Sequence, residues 1–161
     1  MSEAESLADS LCSTHSLLTR YLAGFDDANA TKQATAMPNH VIWTLGHLAL
    51  YNHRAAEKIA GCGLEMTWDP EPFAFNSQPV EDASAYPPLA EMVRLFEDSV
   101  RVLADAVRKS GEAGLDRQTT WGGSTKPVSC RDLAIRMIFH NGTHCGQIVD
   151  LRRALGLGRL F

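Results

Sequence analysis

Apolar side chains in this sequence recur at steps of three and four over four separate segments, and no segment alternates convincingly with a period of two. Such a pattern specifies helices and gives a sheet nothing to grow from. The first segment runs from about Glu3 to Phe25, with Leu7, Leu11, Leu18 and Leu22 on one stripe. The second is MPNHVIWTLGHLALYNHRAAEKIAG, with Val41, Leu45, Leu48, Tyr51 and Ile59 as its apolar face. Pro38 suits its first turn, and Gly61 and Gly63 suit its end. The third spans about Pro88 to Lys109, with Leu89, Met92, Val93, Phe96, Val100, Leu103 and Val107 in register. The fourth starts near Ser129, where Ser129 and Asp132 stand at the spacing of a capping box, and ends before Gly156.

Two stretches lack periodicity. Residues 62–85 carry Pro70, Pro72 and Pro79 and form a long connection, in which Trp68, Phe73 and Phe75 predict packing against the body. GEAGLDRQTTWGGSTKP, residues 111–127, is a loop. No internal repeat or low-complexity tract interrupts the pattern. The prediction is an all-α four-helix bundle, a single domain over residues 1–161, with the long connection between helices 2 and 3.

Charge and the opening residues point away from several partner classes. A net charge of −4 gives no electrostatic reason to expect nucleic acid or an anionic membrane. The opening MSEAESLADS has neither the basic nor the apolar region of a signal peptide, and no apolar run approaches a membrane span. The four cysteines, at 12, 62, 130 and 145, form no C-x-x-C pair. The expectation is a cytoplasmic protein with free thiols.

The fourth helix carries the chemistry. Its inward stripe is Leu133, Met137, His140, His144, Ile148, Leu151 and Leu155, so two histidines four apart occupy core positions. Imidazoles at that spacing lie about one turn apart and can grip one metal ion. Neutral imidazole suits zinc, nickel, copper and iron. A third ligand should come from a facing helix, and His47, mid-helix on the second segment beside Gly46, is the best candidate. Three histidines leave a vacant position for water or substrate, as in catalytic metal sites. The competing reading is a pair of hydrogen-bonded core histidines. His53 turns away from the His47 face, and His40 lies two turns off. His15, on the inward face of the first helix, is a lesser candidate for a fourth ligand or a supporting group. HNGTH differs from the zinc-peptidase motif H-E-x-x-H, because Asn141 stands where the glutamate base would be. Asn52, Asn141 and Gln147 could orient ligands but are assigned first to helix surfaces, and Cys145 first to packing against a neighbouring helix and second to a ligand or nucleophile role. Gly142 and Gly146 line up on a flank away from the histidines, where a second helix could approach closely.

Two stretches, IWTLGHLALYNHRAAEKIAG and IRMIFHNGTHCGQIVDLRRALG, give the sequence its resemblance to the DinB-like (YfiT-like) four-helix-bundle metalloproteins. That family's pattern has one histidine on the second helix, then H-x-x-x-H-x-G-Q, a basic pair and a terminal L-G on the last. Those positions fall here on His47, His140, His144, Gly146, Gln147, Arg152, Arg153, Leu155 and Gly156. The resemblance implies a divalent ion, zinc or nickel, held by His47, His140 and His144, and it implies a homodimer. It also implies thiol-dependent transfer or isomerisation, with bacillithiol, mycothiol or a glutathione-like thiol as cosubstrate. The leading expectation is therefore a metal-dependent enzyme acting on a small molecule, of thiol S-transferase or isomerase type. A noncatalytic metal-binding or stress-response protein and a metal-dependent hydrolase are the alternatives. The residues identify no general base, and the catalytic residues stay unassigned.

Overall fold

The computed structural model describes residues 1–160. Four helices make up most of the chain: α1 (Glu3–Tyr21), α2 (Val41–Ala60), α3 (Leu89–Leu115) and α4 (Cys130–Ala154). Helix α3 packs along both α1 and α2, and α4 packs along both as well. The bundle is therefore ordered α1, α3, α2, α4 around its axis, with α1 diagonal to α2. Leu11, Leu18, Leu45, Leu48, Met92, Phe96, Leu103 and Leu133 are fully buried between the helices. No described helix is long and apolar enough to cross a membrane.

The helix ends follow local chemistry. Ser2 and Glu5 form a reciprocal capping box on α1. Ser129 accepts from the Asp132 N–H at the start of α4, as its spacing predicts. Gly61 closes α2 in the left-handed region at φ 74°. Three expected boundaries move. Helix α1 stops at Tyr21 rather than Phe25. There the buried Arg152 of α4 donates to the carbonyls of Tyr21 and Ala23, satisfying acceptors that further helix would have used. Helix α2 begins at Val41, three residues after the proline, because His40 caps it: the Trp43 N–H donates to His40 Nδ1. Helix α3 runs past Lys109 to Leu115, with a break at Gly111, whose φ of 59° and ψ of −177° are non-helical. Part of the expected 111–127 loop is thus helical. Its far end is closed by a small antiparallel ladder, β1 (Gln118–Thr119) against β2 (Val128–Ser129). Strands of two residues are too short to leave a period in the sequence.

Fifteen of the twenty residues of α2 are buried, more than a helix facing a bundle on one side would show. The long connection after α2 supplies the second cover. Two α2 histidines and the capping His40 hold it, each donating a ring N–H to a backbone carbonyl: His53 to Leu64, His47 to Phe73 and His40 to Val80, all at 3.0 Å. Phe73 is buried and Trp68 packs against the core, as expected. Phe75 is 77% exposed, which corrects its assignment to the body.

Candidate metal centre

His47 from α2 meets His140 and His144 from α4 at the bundle's interior. The His47 ring centroid lies 5.2 Å from each of the other two, and those two are 4.8 Å apart. One candidate ligand nitrogen from each ring lies within 4.8 Å of the others, so the three could hold a metal ion. Helix periodicity puts His140 and His144 on one face. The packing of α2 on α4 supplies the third ring.

Hydrogen bonding fixes which nitrogen His47 offers. A carbonyl can only accept, so Nδ1, 3.0 Å from the Phe73 oxygen, carries the proton. The Nε2 lone pair is then left free, the state that coordinates a metal, and a carbonyl behind the ring is a common orienting partner of such ligands. Trp43 stacks on one side of the ring at 4.5 Å and Tyr51 lies tilted at 4.6 Å. Phe73 reaches this position because Gly46 has no side chain: a Cβ there would lie 2.2 Å from Phe73 Cδ1. The close neighbour that Gly46 admits is thus an aromatic ring.

Burial keeps all three rings neutral. It lowers His144 to about 3, helped by the neighbouring His140 and His47, while a hydrogen bond with Gln147 acts the other way. Burial also lowers His140 to about 4, with His47 contributing. His47 is lowered by burial too, against its bond to Phe73. Neutral imidazole is the ligating form, so protons compete for these nitrogens only in acid. The Nδ1 atoms of His140 and His144 are buried without a hydrogen-bond partner, a cost of about 1–3 kcal/mol for an orphaned group. Three neutral, converging nitrogen donors with orphaned ring atoms fit a divalent transition metal.

A cavity of about 1100 Å³ opens onto His47 and His140. Tyr51, Trp121, Phe75 and Met137 give its apolar wall, with Arg54, Lys58 and Arg136 among its charged residues. Spacing from His47 could have flagged Trp43, Tyr51 and Arg54, which stand one turn before, one turn after and two turns after it. Nothing in the sequence signals that the Phe73 carbonyl would meet His47.

The other sequence candidates fall elsewhere. His15 of α1 packs near Phe96 of α3, with its ring 3.3 Å from the Thr19 hydroxyl, and His40 and His53 serve the long connection. Cys145 is buried, directs its thiol toward the Thr14 carbonyl and is pushed up to about 11 by burial, so it is a packed thiol, as its helical position suggests. Asn52 and Asn141 are fully buried, which corrects their assignment to helix surfaces; they bond Ser99 and Thr14 across the bundle.

A family model described as the DinB superfamily matches residues 11–148. Among solved structures, one described as the conserved protein of locus from Enterococcus faecalis superposes with a TM-score of 0.76 at 18% identity, covering 97% of this chain and 99% of that one. At such identity the likeness is one of fold. Comparison with curated proteins finds no match.

Proposed function

The chain belongs to the DinB superfamily, and from that premise we propose that it is a divalent-metal-dependent enzyme acting on a small molecule, with thiol-dependent transfer or isomerisation as its reaction class. The observation that carries the proposal is the cavity of about 1100 Å³ that reaches two of the three clustered histidines. A noncatalytic site would be closed around its ion and would have no use for such a volume.

His47, His140 and His144 would hold the ion, zinc or nickel. All three are neutral, so they leave the ion its full charge, which lowers the pKa of a bound thiol or water and makes it a nucleophile near neutral pH. Phe73 orients His47 through its carbonyl. Tyr51 and Trp121, with ring centroids 6.1 Å apart, wall the cavity beside the histidines. A soft thiolate suits such an ion better than hydroxide, which favours thiol chemistry over hydrolysis.

The protein should act as a homodimer. Ile135 and Phe139 are exposed on α4, Phe139 at 74%. Gly142 and Gly146 continue their line, and a Cβ on either glycine would meet nothing within 4 Å. The space beside both glycines is therefore open to a second α4.

Titration of the cobalt-substituted protein with cysteine, glutathione and bacillithiol tests the reaction class. Thiolate-to-metal charge-transfer absorption is the expected result. Absence of any spectral change, together with turnover of an ester or amide, replaces transfer by hydrolysis.

A further inference from the structure

The cavity wall carries the opposite charge to the chain. The protein has a net charge of −4, yet Arg54, Lys58 and Arg136 all line this cavity and Glu57 is the one carboxylate among its lining residues. None of the three cations has a carboxylate within ion-pair reach among the described residues, whereas Arg101, Arg108, Arg131 and Arg153 all do. Glu57 is itself engaged, accepting from the Leu64 N–H at 3.1 Å. Arg54 is half-buried, and its guanidinium sits 5.4 Å over the Tyr51 ring, which also neighbours His47, His140 and Trp121. Stacking of that kind fixes a guanidinium without using its five N–H donors. The result is a placed, unspent fork at the cavity wall, one aromatic ring away from the histidine cluster.

We propose that this wall recognises a carboxylate on the small molecule, with Arg54 as its anchor and Arg136 and Lys58 at the rim. The proposal deepens the reading of the same cavity and rests on it for placing the reacting group at the histidines. The charge argument stands on the cations alone. A planar guanidinium fork matches a carboxylate with two parallel hydrogen bonds. A phosphate dianion fits less well. No helix N-terminus, the usual phosphate cradle, lies among the lining residues.

Calorimetry tests this with mercaptosuccinate, its dimethyl ester and inorganic phosphate, on metal-free and zinc-loaded protein. The diacid is expected to bind both forms at least about tenfold tighter than the diester, the effect of one charge-assisted hydrogen bond. Arg54→Gln and Arg136→Gln should each remove most of that preference while zinc content stays at the wild-type level, and added salt should shrink it. Arg136 is exposed, so its variant decides the matter even if Arg54→Gln fails to fold. Equal affinities for diacid and diester, an undiminished preference in both variants, or tighter binding of phosphate than of the diacid would overturn the proposal. Zinc analysis of the same samples separates the two readings. Protein that holds no zinc yet prefers the diacid loses the metal centre and keeps the carboxylate site; zinc-loaded protein without the preference does the reverse.

Discussion

Phe73 occupies the space that a side chain on Gly46 would need: a Cβ at that position would lie 2.2 Å from the ring's Cδ1 and 2.4 Å from its Cγ. The same residue's carbonyl receives the Nδ1 proton of His47, the next residue along. One missing methyl group thus sets the orientation of a proposed metal ligand.

Gly46→Ala should expel the Phe73 ring and break that hydrogen bond. Overpacking of this kind costs about 1–3 kcal/mol, and loss of an orienting partner costs about 10–100-fold in metal affinity. Denaturant melts and metal-competition titrations measure the two effects. Unchanged affinity in a folded Gly46→Ala protein would separate Phe73 from the metal centre.

Acid should destabilise the metal-free protein in a defined window. Burial lowers His40 and His140 from 6.5 to about 4 and His144 to about 3. In the unfolded chain these rings take up protons near 6.5, and in the native protein they do not. The unfolded state therefore binds more protons below that value, and stability present above pH 6.5 is lost as the pH falls toward 4. Denaturant melts at pH 7 and pH 5 check the sign, with lower stability expected at pH 5. His40→Asn keeps a capping side chain and should flatten the dependence. Equal stability at the two pH values would show that these rings are not held neutral.

Removing the metal should soften the fold without dissolving it. Bound ion favours the native state by about 3–4 kcal/mol when free metal is 100–1000 times the dissociation constant. Chelated protein should melt several degrees lower with its helical signal intact, because the bundle's apolar core does not depend on the site. An unchanged melting temperature after verified metal removal would argue against a buried centre.

Light scattering at micromolar concentration should give twice the chain mass, and Phe139→Glu should give the monomer. A charge placed in a packed helix contact is costly, while the same change on a free surface does little. A monomeric wild type would reject the dimer and leave Phe139 an exposed aromatic without a partner.

How far the sequence foretold this structure depends on the range of each signal. Helix faces repeat every three to four residues, so Leu133, Met137, His140, His144 and Ile148 identify the inward side of α4 without coordinates. Caps are similarly local, which is why Ser129 with Asp132 and Gly61 could be placed. The end of α1 could not, because it depends on Arg152, far along the chain. His40 was hidden by Pro38, a stronger helix-start signal two residues away that the backbone does not use. Asn52 and Asn141 were misassigned because their residue type favours surfaces, and pairing with Ser99 and Thr14 is visible only once the helices pack. The cavity's cations come from two helices, and no local pattern joins Arg54 to Arg136.

Metal analysis of the purified protein and its histidine variants tests the central claim most directly. The wild type, supplied with zinc or nickel and then dialysed, should retain about one ion per chain, held by three neutral imidazoles. His47→Ala, His140→Ala and His144→Ala should each lose the ion or bind it orders of magnitude more weakly, while His15→Ala and His53→Ala retain it. Full occupancy in His144→Ala, or no uptake by the wild type, would contradict the assignment of this cluster as a metal centre.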